Sequence, residues 1–367
     1  MTQSSTWRRF RRVLVALAIG GAGACASAGG FNLSQGSSPL QHLTKPQRLA
    51  AIERAQVWAA TDVPAMDLRE GPQGRGALAP FAAVTCTYVE KKMSGRSPKF
   101  TCELAPGDEV KVKYGADNGE VYGVVAASRL LWALGFAADR WYPVSVTCHG
   151  CPADPHRDAR RTDGDVTFDT AAIERKMPGK TMGTLPDEGW KWPELETVNE
   201  KAGGAPRAQV DALKLLAVIL QHTDSKPEQQ RLVCGDSKSG VEDGQGCMAP
   251  LMLIHDVGLT FGRANLFHRN SVAGVNFAEW SRTPVWQDEK RCVGHLPGTW
   301  GSTLNNPTIS EGGRKFLADL LVQLSDAQLR DLFLVARFPQ RSRATVEDWI
   351  AAFRSKRDAI VNATCPS

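Results

Sequence analysis

The sequence predicts an α+β fold, in which a β-rich half that holds one helix precedes a helical half. Three strand-like segments lie within residues 82–114, and the last of them alternates strictly between polar and apolar residues. One helix is predicted from about residue 119 to Leu134, and three more fill residues 310–361. The sequence has no internal repeat and no heptad run, which would indicate a repeat protein or a coiled coil. The fold class is therefore predicted from the order of the strands and helices.

The composition is that of a globular protein without a nucleic-acid-binding surface. The chain has 367 residues, of which 42% are apolar and 23% charged, enough for two domains or one two-lobed domain. Its net charge of +5 comes mainly from four arginines in the first twelve residues. Without them, 40 basic residues face 39 acidic ones, so no basic face for nucleic acid is expected.

Residues 1–28 are predicted to be an export signal. An arginine-rich start precedes the apolar run Val13–Ile19, which is too short to span a membrane or to favour an uncut anchor. Two cleavage sites remain open. Ala26-Ser-Ala28 suits an ordinary signal peptidase, whereas Ala22-Gly-Ala-Cys25 resembles a lipobox in which Cys25 would carry a lipid anchor. We expect a periplasmic, cell-surface or extracellular protein, attached to a membrane only through that anchor.

The cysteines also indicate export. Apart from Cys25 there are eight, and an even number in an exported chain predicts disulfide bonds. Spacing favours one bond across a hairpin and one that closes a polar insertion, which leaves four cysteines for two further pairs; the resulting set is Cys86–Cys102, Cys234–Cys247, Cys148–Cys151 and Cys292–Cys365.

The motif Cys148-His-Gly-Cys151 has three other interpretations. It could be a redox motif, but no thioredoxin-like pattern surrounds it. It could attach a c-type haem, but Pro152 stands where the haem-binding histidine belongs. It could be half a zinc site, but no second cysteine pair has the required spacing. A structural disulfide is the interpretation that we favour.

The predicted elements follow in chain order. A linker and an N-terminal helical extension occupy residues 29–80, with a helix over 45–60. The strands of the β-rich half are predicted at Ala82–Glu90, Lys99–Leu104, Glu109–Tyr114 and Trp141–Thr147. Residues 149–205 are expected to be loop-rich and polar, with Trp190 and Trp192 as packing anchors.

The second half is predicted to be helical apart from one buried strand. An apolar helix over 207–221 precedes a polar loop over 222–231. Next come a strand at Pro250–His255 and the helices Ser310–Leu324, Ser325–Phe338 and Thr345–Val361. Ser325 with Gln328 forms a capping box, and Thr345 suits the cap of the last helix.

The loop after the apolar helix carries the most informative motif. His222-Thr-Asp-Ser-Lys-Pro-Glu-Gln229 resembles the catalytic loop of protein kinases, H-R-D-L-K-P-E-N, and five of the eight positions are identical. After the buried strand, His255-Asp-Val-Gly258 resembles the metal-binding D-F-G. Upstream, Lys113 lies on the third strand of a small sheet, where kinases carry their nucleotide-binding lysine.

Because of these motifs, the chain resembles the protein-kinase-like superfamily. The resemblance covers about residues 110–260 and a helical tail. The resemblance is closest to atypical branches, such as disulfide-bearing secreted kinases, and to the His-Asp-x-Gly form of phosphoinositide kinases. It implies a bilobal fold with a small N-lobe over 81–150 and a larger helical C-lobe over 151–367. The C-lobe would hold a disulfide-closed insertion at 234–247.

The resemblance also implies the roles of six residues. Asp224 and Lys226 would be the catalytic residues: Asp224 would accept or orient the proton of the attacking hydroxyl, and Lys226 would point at the transferred phosphate. Asp256 would hold Mg²⁺ with Gln229 as a neutral oxygen ligand in place of asparagine. The cofactor ATP would be bound through Lys113, held in turn by Glu120. The partners of the protein would be the nucleotide and an unidentified acceptor. No G-x-G-x-x-G precedes this lysine, so cover for the phosphates comes from other residues or is absent.

Simpler interpretations remain open for each motif. The 222–229 loop could be an ordinary solvated loop, and His255-Asp-Val-Gly an ordinary turn after a strand. Lys113 could lie on the polar face of its strand beside Lys111, and Glu120 could be an acid favoured in a first helical turn. We predict an exported kinase-like phosphotransferase. Its alternatives are a catalytically inactive kinase-fold scaffold at the cell surface and nucleotidyl transfer on the same fold.

Overall fold

The computed structural model of the protein describes residues 41–366, apart from 159, 186–187, 236–240, 243–245 and 264–273. The predicted export signal and the possible lipid anchor on Cys25 lie outside the described residues.

In the described part of the chain, the strands fall into one barrel and three smaller sheets. In chain order they are β1 (Gln41–His42), β2 (Ala82–Val89), β3 (Lys99–Glu103), β4 (Glu109–Tyr114), β5 (Arg140–His149), β6 (Asp165–Arg175), β7 (Lys180–Gly183), β8 (Gln230–Cys234), β9 (Val241–Glu242), β10 (Gly246–Cys247), β11 (Leu251–Ile254), β12 (Trp286–Asp288) and β13 (Val293–Gly294).

The helices concentrate in the second half of the chain. They are α1 (Lys45–Glu53), α2 (Gly119–Ala133), α3 (Arg207–Leu220), α4 (Phe277–Arg282), α5 (Glu311–Leu321), α6 (Asp326–Val335), α7 (Phe338–Arg341) and α8 (Val346–Val361). Side-chain caps set several starts: Ser325 and Thr345 form the capping boxes of α6 and α8, as predicted.

The first half is a closed barrel in the order β2-β3-β4-β6-β5. Neighbouring strands are antiparallel, except that β2 pairs with β5 in parallel and closes the barrel. Alternate residues of the strands point inward and form an apolar interior that includes Phe100, Val112, Val144 and Ile173. The helix α2 packs against β5 and β6, and most of its residues are buried.

The second half packs helices beside the sheet β1-β7-β8-β11. Its core holds an aromatic cluster in which Phe261, Trp280, Phe333, Phe338 and Trp349 contact one another. The predicted anchors Trp190 and Trp192 are also fully buried, with their rings 5.1 Å apart. A barrel with one helix, followed by a larger part rich in helices, fits the predicted α+β, kinase-like fold.

All four predicted disulfide bonds are present: Cys86–Cys102, Cys148–Cys151, Cys234–Cys247 and Cys292–Cys365. They are consistent with an oxidising environment outside the cytosol. Within the described part of the chain, no helix is long and apolar enough to cross a membrane.

The prediction of a loop-rich segment over 149–205 is wrong for β6. This strand pairs with both β4 and β5, so the barrel runs to Arg175, beyond the lobe boundary predicted at 150. Its sequence mixes Asp, Ala and Glu, which have low strand propensity, with Val166, Thr167, Phe168, Thr170 and Ile173, which favour a strand. The strand also has a partner on each side, and this long-range pairing is not visible in its own residues. The polar loop predicted over 222–231 likewise ends early, because β8 begins at Gln230.

Candidate functional site

Lys113 lies at the centre of a buried ion cluster. Its side chain has no exposed area, and its Nζ lies 2.5 Å from Glu120 Oε2. The same Nζ lies 2.9 and 3.2 Å from the two carboxylate oxygens of Asp256. The simpler interpretation of Lys113 as the solvated face of a strand is therefore wrong.

The short sequence separation of Lys113 and Glu120 results from a tight connection. Lys113 is the fifth residue of β4, and a turn leads directly into α2, where Glu120 occupies the first turn. The side chain of Asn118 caps the helix by accepting a hydrogen bond from the Glu120 backbone N–H at 3.2 Å. This cap fixes the first turn of α2 next to the end of β4.

The charges in this cluster stabilise one another. Burial alone would lower the pKa of Lys113, but the negative charges of Asp256 and Glu120 raise that pKa above its usual value. Burial likewise disfavours the charged form of Asp256, but the positive charge of Lys113 holds the pKa of Asp256 well below its usual value. Both groups are therefore ionised at neutral pH.

Strand pairing brings Gln229 next to Asp256. In the antiparallel pair β8–β11, Gln230 lies opposite Ile254, so the residues just outside each strand meet at the same end. The backbone carbonyl of Gln229 accepts hydrogen bonds from the N–H groups of His255 at 2.7 Å and Asp256 at 3.1 Å. The register of the β8–β11 pair therefore places the two predicted metal ligands, Gln229 and Asp256, next to each other.

The predicted catalytic pair lies on the other side of Gln229. The side-chain amide of Gln229 donates to Asp224 Oδ2 at 3.0 Å, and Lys226 Nζ lies 3.0 Å from Asp224 Oδ1. Contacts therefore run continuously from Lys226 through Asp224 and Gln229 to Asp256 and Lys113. The structure brings all six predicted site residues together, while their roles remain predictions.

A loop that the sequence did not point to holds this segment in place. Thr299 and Ser302 donate hydroxyl hydrogen bonds to the Thr223 carbonyl at 2.9 and 2.6 Å. Thr303 donates its backbone N–H and its hydroxyl to the Ser225 carbonyl at 3.1 and 2.8 Å. Both neighbours of Asp224 are fixed in this way, so the Asp224 backbone has little freedom to move.

His222 has a different role from the charged residues around it. Its ring is buried against Trp192, with the ring centroids 6.2 Å apart, and neither ring nitrogen has a hydrogen-bond partner among the described residues. Burial lowers the pKa of His222 to about 4, although the charges of Asp224 and Asp256 oppose this shift. The ring is therefore neutral at pH 7 and acts as a packing group.

Gly258 contacts the ion cluster so closely that no side chain fits. A Cβ at this position would lie 2.7 Å from both Lys113 Nζ and Glu120 Oε2. The Gly258 backbone N–H also donates to Asp256 Oδ1 at 3.0 Å. This close approach explains the glycine of the His-Asp-x-Gly motif in this chain.

A second ion cluster lies beside the first, and sequence reasoning missed it. The carboxylate of Asp139 is fully buried, pairs with Arg231 at 2.5 Å and accepts a hydrogen bond from His255 Nδ1 at 2.6 Å. Next to it, Glu174 pairs with Lys111 at 2.7 Å. The alternation of β4 predicts that its two lysines share a face, but their carboxylate partners come from other segments.

Asp139, Glu174 and His255 are close enough to bind a metal, since one possible ligand atom of each lies within 4.8 Å of the others. Both carboxylates, however, already pair with a cation. Burial disfavours the charged form of Asp139, but Arg231 holds the pKa of Asp139 below its usual value. We therefore interpret this cluster as a structural brace between the barrel and the β8–β11 pair.

The residues around Asp224 fit Mg²⁺. The side chains of Gln229 and Asp256 offer oxygen ligands, which Mg²⁺ prefers, and Asp224 places a carboxylate beside them. Asp224 Oδ1 is buried and accepts no hydrogen bond within the described part of the chain, although Lys226 lies near it. The side chains of Asp224 and Asp256 are 18% and 17% exposed, so a ligand can reach them.

Comparisons with known proteins give little further information. No family model matches the sequence, and no curated protein matches it. Among solved structures, the proinflammatory kinase CtkA from Helicobacter pylori aligns with 77% of this chain and 99% of its own length. The sequence identity is 11% and the TM-score is 0.40, a likeness too low to carry an argument about this chain.

Proposed function

We propose that this chain is an exported kinase-like phosphotransferase that uses ATP and Mg²⁺ on an unidentified acceptor. The observation that carries the proposal is the contact of Lys113 with both Glu120 and Asp256, next to Asp224 and Gln229. Residues from β4, α2, the loop after α3 and the end of β11 meet here. A solvated loop or an ordinary turn would not require that convergence.

Each residue has a chemical role in this proposal. Lys113 binds the phosphates of ATP, and Glu120 holds its side chain in place. Asp256 and Gln229 hold Mg²⁺, which when bound neutralises charge on the phosphates. Asp224 accepts the proton of the attacking hydroxyl, and Lys226 offers a positive charge to the transferred group. The four disulfide bonds support an oxidising location.

One observation favours a second candidate, a non-catalytic kinase-fold scaffold. The Lys113 side chain has no exposed area, and the two oxygens of Asp256 already lie within 3.2 Å of its ammonium group. An ion pair that is neutralised internally is stable without a nucleotide or a metal. The two candidates differ in whether ATP and Mg²⁺ compete successfully for these groups.

Calorimetric titration of ATP into the oxidised mature protein, with and without Mg²⁺, tests the proposal. We expect binding that requires Mg²⁺ and that is lost in Asp256→Ala, because this substitution removes a charged metal ligand. Asp211→Ala is the control, since Asp211 is a carboxylate, more deeply buried than Asp256, that pairs with Lys214 on α3 and has no role in the proposed site. Wild-type protein that binds no nucleotide would contradict the proposal and favour the scaffold.

A further inference from the structure

Lys99 lies beside Lys113 on the neighbouring strand. It is the first residue of β3, and in the antiparallel β3–β4 pair it lies directly opposite Lys113. Residues that are directly opposite in such a pair point to the same side of the sheet. The register therefore places a second ammonium group next to the nucleotide-binding lysine of the proposed function.

The position of Lys99 is fixed from its N-terminal side. The carbonyl of Pro98 accepts hydrogen bonds from the Tyr114 backbone N–H at 3.3 Å and from the Asn118 side-chain amide at 3.2 Å. Asn118 also caps α2, whose first turn carries Glu120. The start of β3 is thus tied to the same residues that position the Lys113–Glu120 pair.

Lys99 differs from the other two lysines of this face in having no ionic partner among the described residues. Lys111 pairs with Glu174, and Lys113 pairs with Glu120 and Asp256. The ammonium group of Lys99 forms no salt bridge or hydrogen bond with the residues that the structure describes, although its side chain is partly buried. It lies under the turn of the β2–β3 hairpin, where a Cβ at Gly95 would come within 2.9 Å of Lys99 Nζ.

The electrostatic environment couples Lys99 to the site. Burial lowers the pKa of Lys99, the charge of Lys113 lowers it further, and the charges of Asp256 and Glu120 oppose the shift. The Lys99 ammonium group is not among the fully buried side-chain atoms that lack a partner, so it keeps contact with solvent. An anionic ligand can therefore reach it and supply a charge-assisted hydrogen bond.

The charge balance of the site indicates why a second lysine is needed. Lys113 contributes one positive charge against the two negative charges of Glu120 and Asp256. A polyphosphate approaching these three groups meets a net negative charge and is repelled. Mg²⁺ offsets part of this repulsion, and Lys99, directly opposite Lys113 in the β3–β4 pair, can offset more.

We propose that Lys99 is a second phosphate-binding residue, which contacts the phosphates of the nucleotide from beneath the β2–β3 turn. The inference rests on the proposed function. Under this inference the β2–β3 hairpin contacts the phosphates, the function that a G-x-G-x-x-G motif would otherwise perform. Lys99 donates a charge-assisted hydrogen bond to the phosphate, whereas a glycine-rich loop would donate hydrogen bonds from its backbone N–H groups.

Calorimetric titrations of Mg²⁺–ATP and of adenosine into wild type, Lys99→Gln, Lys99→Arg and Lys92→Gln test this role. Lys92 is exposed on the same hairpin, so its substitution removes the same charge from the same segment. We expect Lys99→Gln to weaken ATP binding about tenfold or more, the range of a hydrogen bond to a charged group. Adenosine binding should not change, and Lys99→Arg and Lys92→Gln should bind ATP like the wild type.

Three results would overturn the inference in different ways. Wild type that binds no Mg²⁺–ATP would remove the proposed function and this inference with it. Wild type that binds ATP with the same affinity as Lys99→Gln would overturn the inference alone. Equal weakening of ATP and adenosine binding in Lys99→Gln would also overturn it, because adenosine has no phosphate and the effect would then come from altered packing.

Discussion

The Nζ of Lys113 and the Oε2 of Glu120 lie 2.5 Å apart, and a Cβ on Gly258 would come within 2.7 Å of both atoms. Three separate segments thus meet at a point where there is no room for one more carbon. The contact of Gly258 with this ion pair makes the packing of the site sensitive to the smallest possible substitution.

We predict that Gly258→Ala displaces the Lys113–Glu120 pair. The added methyl group must push a charged group aside, so the free energy of unfolding should fall by about 1–3 kcal/mol. Mg²⁺-dependent ATP binding should weaken as well. Gly164→Ala is the control, because a Cβ at Gly164 meets nothing within 4 Å. Urea denaturation and calorimetry measure the two effects, and equal stability of the two variants would contradict the close packing.

Asp139→Asn should destabilise the protein strongly. The Asp139 carboxylate is fully buried between Arg231 and His255, and its loss leaves Arg231 without a charged partner. Breaking a buried pair in this way typically costs about 3–5 kcal/mol. Asp158→Asn removes a carboxylate that pairs with Arg160 at the surface, and it should leave urea denaturation unchanged. A small effect at Asp139 would show that the brace is not structural.

His222 should make stability depend on pH between about 4 and 6.5. The folded protein keeps the ring neutral because burial lowers its pKa to about 4, whereas the unfolded chain takes up a proton near the usual value of 6.5. The unfolded state therefore binds more protons in this window, and the free energy of unfolding falls as the pH falls through it.

His222→Leu isolates this contribution. The substitution keeps an apolar group of similar size against Trp192 and removes the titrating ring. Denaturation of both proteins at a series of pH values should show a smaller loss of stability in the variant between pH 6.5 and 4. Parallel curves for the two proteins would show that His222 is not buried in its neutral form.

The disulfide bonds should differ in their effect on stability. Cys292–Cys365 joins residues 73 positions apart, whereas Cys148–Cys151 spans 3. A longer closed loop restricts the unfolded chain more, so replacing the first pair by serines should cost more, about 2–5 kcal/mol. Denaturant midpoints of the two double-serine variants test the order, and a larger loss from the Cys148–Cys151 pair would contradict it.

Local patterns in the sequence were enough to predict much of the fold. Strict alternation predicted β4 with its bounds Glu109–Tyr114, and side-chain caps predicted the starts of α6 and α8. The strand β6 was missed although its β-branched and aromatic residues favour a strand, because alanines and acids interrupt the pattern. Its pairing with β4 and β5 depends on residues distant in sequence.

The candidate site likewise contains residues that the sequence predicted and residues that it did not. Motif spacing pointed to Asp224 and Asp256, because each lies in a short stretch that resembles a known loop. Lys99 was missed because its position opposite Lys113 depends on the exact register of the β3–β4 pair. The Asp139–His255 pair was missed because it joins segments far apart in sequence. The loop that holds Thr223 was missed for that reason too. No property of its residues indicates which backbone carbonyl they will contact.

Transfer of radiolabel from ATP tests the central claim most directly. The oxidised protein and an extract of its source cells are incubated with Mg²⁺ and ATP labelled at either the γ- or the α-phosphate. We predict that wild type transfers the γ-label to an acceptor, and that Asp224→Asn binds Mg²⁺–ATP but does not transfer it. Transfer of the α-label would indicate nucleotidyl transfer. Bound Mg²⁺–ATP without any transfer would contradict the phosphotransferase and favour the scaffold.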